Sequence, residues 1–276
     1  MKTRLSVFFL VIVLILGLSA CKKSEPTPAP EINPGVTATY DPNGDFAYVL
    51  GKNSFLVGYT VYEPMNYTDD AGNFTGFDTE LTKLVSNKLG LNPVFIEIDW
   101  STKEIELAAK SIDCIWNGMT ITEERKKNVD FTVPYLMNAQ VLVMKSDFEY
   151  AGFESLFGKT VVAEAGSAGE TTIEEYGGFA DAVYIAKEKQ TDCLMEVAAG
   201  TADVAVLDLT LANAMIGPGT NYANLVIKDS VAEEFYAVAF RLGSDITEMV
   251  DNAFAELIND GTMVALAKKY DLVLAK

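Results

Sequence analysis

Strand-type and helix-type hydrophobic patterns alternate along most of this chain. Short apolar runs predict strands at 54–59, 93–98, 113–117, 140–145, 160–163, 203–207 and 234–241. Longer stretches between them predict helices at 78–89, 102–110, 169–176, 190–199, 246–260 and 261–270. The first of these helices has Asp78 as a cap and Gly90 as its stop. Strands that alternate with helices form largely parallel sheets, so the sequence predicts an α/β fold.

Two segments of the chain resemble each other without a gap. They are AAKSIDCIWNGMT at 108–120 and AAGTADVAVLDLT at 198–210, and each joins a helix end, a buried strand and a polar stretch. Chance similarity of two βα units is one explanation, and a pair of similar lobes is the other. In parallel sheets, ligands bind beyond the carboxyl ends of strands. Those ends carry residues 117–120 in one unit and Asp208 in the other.

Arg125 occupies a position that local helix chemistry does not explain. Thr122 is a suitable cap for a helix, and two glutamates and then Arg125 follow it in the first turn. A helix start carries partial positive charge, so an exposed arginine there costs about 0.3–1 kcal/mol. We therefore consider a binding role for Arg125, with a surface ion pair to a nearby glutamate as the alternative.

The polar residues near these strand ends complement an α-amino acid. Arg125 offers a planar fork suited to a carboxylate, and Thr120 can add an amide and a hydroxyl donor. The turn AEAGSAGE at 163–170 places the amides of Ser167 and Ala168 at a helix start, where anions bind. Asp208 can accept hydrogen bonds from an ammonium, and capping of the next helix is its alternative role.

Aromatic residues also follow the predicted strands. Tyr62 comes after the first strand and Trp100 after the second, so their rings can flank a ligand, although either ring can instead belong to the core. Trp116, inside a predicted strand, belongs either to the core or to the floor of a cleft.

The charge balance and the absence of histidine exclude several classes of protein. The chain has 39 acidic and 21 basic residues, and its net charge of −18 opposes nucleic-acid binding. Without histidine, Ser–His and Cys–His nucleophile pairs and His-containing zinc sites are excluded. We expect no cofactor and no metal. Cys114 and Cys193 are expected to be buried thiols, with a disulfide between them as the alternative.

Residues 1–20 have the pattern of a secretory signal peptide. Lys2 and Arg4 precede an apolar run at 5–18 that is short for a membrane span. The sequence LSAC at 18–21 resembles the lipobox of bacterial lipoproteins. That resemblance implies a diacylglyceryl group, with acyl chains such as palmitate, on Cys21 and anchoring outside the cytoplasm at the cell membrane. An ordinary secreted or membrane-anchored protein is the alternative. The Pro-rich stretch 21–44 predicts a flexible linker.

Several motifs occur in an order that resembles the family 3 solute-binding proteins of polar amino-acid ABC importers. They are GFDTEL, IDCIWNGMTITEER, VDFTVPY, AGSAGE, AAGTADVAVLD, FRLGSD and DGTMVALAKKY. The resemblance implies a two-lobed type II periplasmic-binding-protein fold that closes on its ligand like a Venus flytrap. Lobe 1 would comprise 45–138 and 238–276, lobe 2 would comprise 139–237, and hinges would lie near 137–140 and 234–237.

The same resemblance implies roles for individual residues. Arg125, Thr120 and the turn amides would bind the ligand carboxylate. Asp208 and the carbonyl of Gly118 would bind the ammonium, while the two aromatic rings named above would flank the side chain.

The chain departs from the family pattern at two acidic positions. Many members carry an acid just after the first strand, and GYTVYEP lacks one there, so Glu63 is a candidate substitute. Glu164 stands where other members often have Gln, Lys or an apolar residue that touches the ligand side chain. An acid there is compatible with a polar or cationic ligand or with an outward salt bridge.

The resemblance implies a monomeric, lipid-anchored receptor that delivers an amino acid to an ABC transporter permease. Two alternatives remain. A dehydratase-like enzyme on the same scaffold would need a general acid such as Glu63 or Glu164. A ligand-sensing receptor would need a further signalling module.

Overall fold

The computed structural model describes residues 40–275. The predicted signal peptide, Cys21 and most of the linker lie outside the described residues. Within 40–275, no helix has the combination of length and apolar character needed to cross a bilayer.

The described chain alternates between helices and strands, as the sequence predicts. The helices are α1 (Asp45–Lys52), α2 (Phe77–Leu89), α3 (Lys103–Ala108), α4 (Ala168–Glu175), α5 (Gln190–Ala199), α6 (Leu209–Met215), α7 (Ile246–Asn259) and α8 (Thr262–Lys269). The strands are β1 (Phe55–Tyr59), β2 (Tyr67–Thr68), β3 (Phe74–Thr75), β4 (Pro93–Glu97), β5 (Cys114–Thr120), β6 (Val129–Phe131), β7 (Leu136–Lys145), β8 (Thr160–Glu164), β9 (Val183–Lys187), β10 (Val204–Asp208) and β11 (Leu225–Arg241).

The main sheet has the strand order β4-β1-β5-β11-β7-β10-β8-β9, and β6 pairs with β11 beside this path. Strands β4, β1 and β5 are parallel, and together with the segments that follow each of them they form what we call the first block. Strands β10, β8 and β9 are also parallel, and together with the segments that follow each of them they form the second block. The two central strands, β11 and β7, are antiparallel to each other and to their neighbours. The α/β class is confirmed, whereas parallel pairing is confined to the two blocks.

The central strands are longer than their hydrophobic patterns predict. β11 covers Leu225–Arg241 rather than 234–241, and β7 begins at Leu136 rather than at 140. β11 pairs with β7 along most of its length and then with β5 near its end, so this strand connects the two blocks. The polar residues in both strands interrupt the apolar pattern, and several of them are buried where the blocks meet.

Two predicted helix starts are wrong. The segment after Thr122 forms only a single 3₁₀ turn at Arg125–Lys127, although the Thr122 hydroxyl does accept the Arg125 amide at 3.1 Å. Asp78 does not cap α2, since the helix begins at Phe77 and the Asp78 side chain is fully buried beneath it. Its Oδ2 accepts the amide of Gly118 at 2.7 Å instead.

The apolar core settles three assignments left open by the sequence. Trp116 is fully buried and packs edge-on against Phe254, with ring centroids 5.8 Å apart, so it belongs to the core. Cys114 and Cys193 are buried free thiols, which confirms the expected state and excludes the disulfide. Burial raises the pKa of both thiols, so neither is suited to nucleophilic chemistry.

Candidate functional site

A cavity lies between the two blocks, at the carboxyl ends of their strands. All six parallel strands contribute to it, because its lining residues lie at or shortly after the end of each strand, as expected for sheets of this kind. All nine residues predicted as ligand contacts line the cavity, together with three others. The lining residues are Thr60, Tyr62, Trp100, Asn117, Gly118, Thr120, Arg125, Glu164, Ser167, Ala168, Gln190 and Asp208.

Arg125 points into this cavity and is only 6% exposed. Its Nη1 donates to the Thr120 carbonyl at 2.7 Å, and its Nη2 donates to the Gly166 carbonyl of the second block at 3.0 Å. The surface ion pair considered for Arg125 is wrong, because the adjacent glutamates pair with Lys126 and Lys127. A guanidinium has five N–H donors, so donors remain for a carboxylate.

The turn before α4 is stabilised by reciprocal capping. The Ser167 hydroxyl accepts the Glu170 amide at 3.1 Å, and the Glu170 carboxylate accepts the Gly166 amide at 2.6 Å. The prediction that the Ser167 amide is open to an anion is wrong in this structure, since that amide donates to the Glu164 carbonyl at 3.1 Å. Ala168 begins α4 and presents its amide at the positive end of the helix.

Asp208 lies at the end of β10, on the side of the cavity formed by the second block. Its Oδ1 accepts side-chain amides from Asn138 at 2.8 Å and Gln140 at 2.6 Å, and its Oδ2 accepts the Gln190 amide. It makes no side-chain capping bond to α6, so the alternative role as a cap is wrong. Three donors hold this carboxylate in place while it remains at the cavity wall.

Glu234, on β11, lies behind Asp208 and was not identified from the sequence as a site residue. It accepts the same two amides, from Asn138 and Gln140, and does not line the cavity. Burial raises the pKa of Glu234 to about 8, and the neighbouring Asp208 charge contributes in the same direction. The raised pKa favours a neutral Glu234, which can share one set of donors with an ionised Asp208.

Gly118 and Tyr62 form part of the cavity wall that faces the central strand β11. The Tyr62 hydroxyl bonds to the hydroxyl of Tyr236 at 2.6 Å and to that of Thr210. Gly118 has φ = +57°, and a Cβ there would lie 2.9 Å from the Tyr62 ring and 3.0 Å from the Tyr236 ring. Only glycine therefore permits this close approach.

Glu164 and Glu63, the two acids left open by the sequence, have different environments. Glu164 is 4% exposed, lines the cavity and forms no ion pair within residues 40–275, so an outward salt bridge is excluded. Glu63 is partly exposed and does not line the cavity, so it does not replace the missing acid.

Contacts between the two blocks enclose the cavity. Lys103, on α3, donates to the Trp100 carbonyl at 3.0 Å and, like Arg125, to the Gly166 carbonyl, at 2.9 Å. Burial, together with the Arg125 charge, lowers the pKa of Lys103 to about 7. At the rim, Lys189 pairs with Glu97 at 2.8 Å. The two blocks are thus in direct contact around the site.

The described residues contain no group of three or more Cys, Asp or Glu side chains arranged to hold a metal ion. The cavity instead combines a cation, backbone donors and carboxyl groups. This arrangement can bind a small molecule that carries one negative and one positive charge.

Stability should depend on pH through Asp78, the acid beneath Gly118. Burial raises its pKa to about 7 from an ordinary value near 3.8. The folded state therefore binds more protons than the unfolded state between these values, and the free energy of unfolding falls as pH rises, by up to about 1.4 kcal/mol per pH unit.

Asp78→Asn should flatten this part of the pH dependence, since an amide oxygen can still accept the Gly118 amide. Urea unfolding of both proteins from pH 4 to pH 8 measures the effect. Other buried acids titrate in both proteins, so the difference between the curves isolates Asp78. Parallel curves would contradict the prediction.

Residues 56–272 match the model of the bacterial extracellular solute-binding proteins, family 3. The arginine-binding extracellular protein ArtP of Bacillus subtilis (strain 168) is 30% identical over 226 residues, covering 80% of this chain and 87% of ArtP.

Two solved structures illustrate the likeness in fold. Holo ArgBP from T. maritima superposes with a TM-score of 0.71 at 32% identity, covering 81% of this chain and 99% of that one. The ancestral amino acid-binding protein AncCDT-1, described as a precursor of cyclohexadienyl dehydratase, gives a TM-score of 0.74 at 29% identity and covers 82% and 98% of the two chains.

Proposed function

This chain belongs to the bacterial extracellular solute-binding proteins of family 3, and on that premise we propose that it binds an amino acid and delivers it to an ABC importer. It has the type II periplasmic-binding-protein fold of its structural relatives. The relatives compared above are named as binding proteins, with arginine or amino acids as their ligands.

Arg125 and Asp208 support this proposal most directly. They line one cavity, belong to opposite blocks and carry opposite charges. An α-amino acid presents a carboxylate and an ammonium on one carbon, so it can satisfy both at once. In the proposed complex, Arg125, Thr120 and the Ala168 amide bind the carboxylate, and Asp208 with the Gly118 carbonyl binds the ammonium. Tyr62 and Trp100 flank the side chain.

The ligand acts by stabilising a closed conformation. We assign 45–138 and 238–276 to lobe 1 and 139–237 to lobe 2, with hinges where β7 and β11 cross between the blocks. A ligand that contacts both lobes favours closure by its differential affinity for that state. The closed monomer would then present its docking surface to the permease.

The proposed location is the extracytoplasmic face of the cell membrane, with a lipid on Cys21. The signal-peptide pattern and the LSAC sequence support this part of the proposal. The stretch from 21 to 44 would serve as a flexible tether that allows the folded part to reach a permease.

A dehydratase-like activity is the second candidate. It is favoured by Glu164, whose pKa burial raises to about 8, as a general acid requires, and by the likeness to AncCDT-1. An acidic substrate such as prephenate would, however, face the carboxyl groups of Glu164 and Asp208. Incubation with prephenate should yield no aromatic product above the uncatalysed rate.

Isothermal titration of the purified, extensively dialysed protein against the twenty amino acids tests the main proposal. We expect at least one to bind with micromolar affinity or better. If the protein melts cooperatively but binds none of the twenty amino acids, the proposal is refuted.

A further inference from the structure

Glu164 is a buried acid without a partner. It ends β8 at the cavity wall, and its carboxyl group accepts no hydrogen bond and forms no ion pair with any residue from 40 to 275. A buried carboxyl group without donors is costly unless something supplies them. Every other buried acid near the cavity has donors: three amides for Asp208 and two for Glu234.

The charges of the cavity do not balance with a neutral amino acid. The ligand carboxylate would neutralise Arg125, and its ammonium would neutralise Asp208. An ionised Glu164 would then have no counter-charge, so Glu164 would bind a proton instead. A second positive charge on the ligand would complete the balance, because buried charges are stable when they are paired and hydrogen-bonded.

No residue from 40 to 275 forms an ion pair with Glu164 to provide that charge. After burial, the pKa of Glu164 is affected most by Asp208 and Asp192, which raise it, and by Lys103 and Lys189, which lower it. Lys103 directs its ammonium to two backbone carbonyls, and Lys189 forms an exposed ion pair with Glu97. The two aspartates repel a charge on Glu164 rather than stabilise it.

We propose that Glu164 binds a cationic group at the end of the ligand side chain, so that the protein selects basic amino acids such as arginine and lysine. This inference rests on the proposed amino-acid-binding function. Glu164 would then be a specificity-determining residue. It lies on the second block and lines the same cavity as the groups proposed to bind the carboxylate and ammonium of the ligand.

Arginine and citrulline provide the sharpest comparison, because they have nearly the same shape and differ in side-chain charge. By titration calorimetry, we expect arginine to bind the wild type about 10- to 150-fold more tightly than citrulline, as for hydrogen bonds to charged groups. Glu164→Gln should remove most of this preference, mainly by weakening the binding of arginine.

Asp192→Asn is the matched control. It removes the same charge from a neighbouring position that does not line the cavity, and it should preserve the preference for arginine. A thermal melt of each ligand-free variant establishes that it folds. If Glu164→Gln does not fold, Glu164→Asp keeps the charge, shortens the side chain and should reduce the preference partially.

Proton counting gives an independent readout. Burial raises the pKa of Glu164 to about 8, so closure around citrulline at pH 7 should take up a proton that closure around arginine does not. Titrations in two buffers of different ionisation enthalpy measure this difference, which should be absent in Glu164→Gln.

Equal affinity for arginine and citrulline in the wild type, or a preference that persists in Glu164→Gln, would overturn this inference. In both cases an amino acid still binds, so the proposed function stands. Failure of every amino acid to bind would instead refute the proposed function itself.

Discussion

Arg125→Ala should raise the dissociation constant for the bound amino acid by at least about 30-fold. Arg125 is the cation that faces the cavity most directly, and its guanidinium is held by the carbonyls of Thr120 and Gly166. Removing one partner of a buried charge pair costs about 2–5 kcal/mol, since the other charge stays buried without compensation. Each 1.4 kcal/mol is a factor of about ten in affinity, and calorimetry measures the loss.

Lys127→Ala is the control for this prediction. Lys127 belongs to the same 3₁₀ turn, is exposed and pairs with Glu124, so its removal should change the affinity by less than about twofold. Arg125→Ala should still unfold cooperatively. Undiminished binding by Arg125→Ala would show that the carboxylate lies elsewhere in the cavity, and loss of folding would show that Arg125 is mainly structural.

The sequence indicates a binding role for Arg125, although the helix on which that inference depends does not form. The unfavourable helix position that drew attention to it does not exist, because only one 3₁₀ turn forms. What places Arg125 in the cavity is its position after β5, a strand that the hydrophobic run at 113–117 indicates although it continues to Thr120. Residues that follow predicted parallel strands could therefore be assigned to one edge of a sheet without knowledge of the turn.

The amides around Asp208 could not be predicted in this way. Asn138 and Gln140 lie on β7, Gln190 begins α5, and Glu234 lies on β11, so they meet only through tertiary structure. Asn138 pairs in register with Glu234, and Gln140 with Asp208. Their polar side chains weaken the strand pattern of the sequence, and this is also why both central strands were predicted too short.

Asp208→Asn should also raise the dissociation constant by at least about 30-fold, because the ligand ammonium would lose its anionic partner inside the cavity. The new amide group would face the Gln190 amide, which donates to Oδ2 in the wild type. Gln190 cannot simply reverse its own amide, since its Oε1 accepts the backbone amide of Asp208 at 3.0 Å. The variant should therefore lose a hydrogen bond as well as a charge.

Glu234→Gln tests whether binding depends on the charge of Asp208 itself or on the hydrogen-bond network that holds Asp208 in place. The substituted side chain would retain an oxygen that accepts the amides of Asn138 and Gln140, and position 234 does not line the cavity. We expect the affinity of this variant to stay within about fivefold of wild type, as for the loss of a single neutral contact. If Glu234→Gln and Asp208→Asn weakened binding equally, the hydrogen-bond network around the two acids would determine affinity as a whole. The direct pairing of Asp208 with an ammonium would then be wrong.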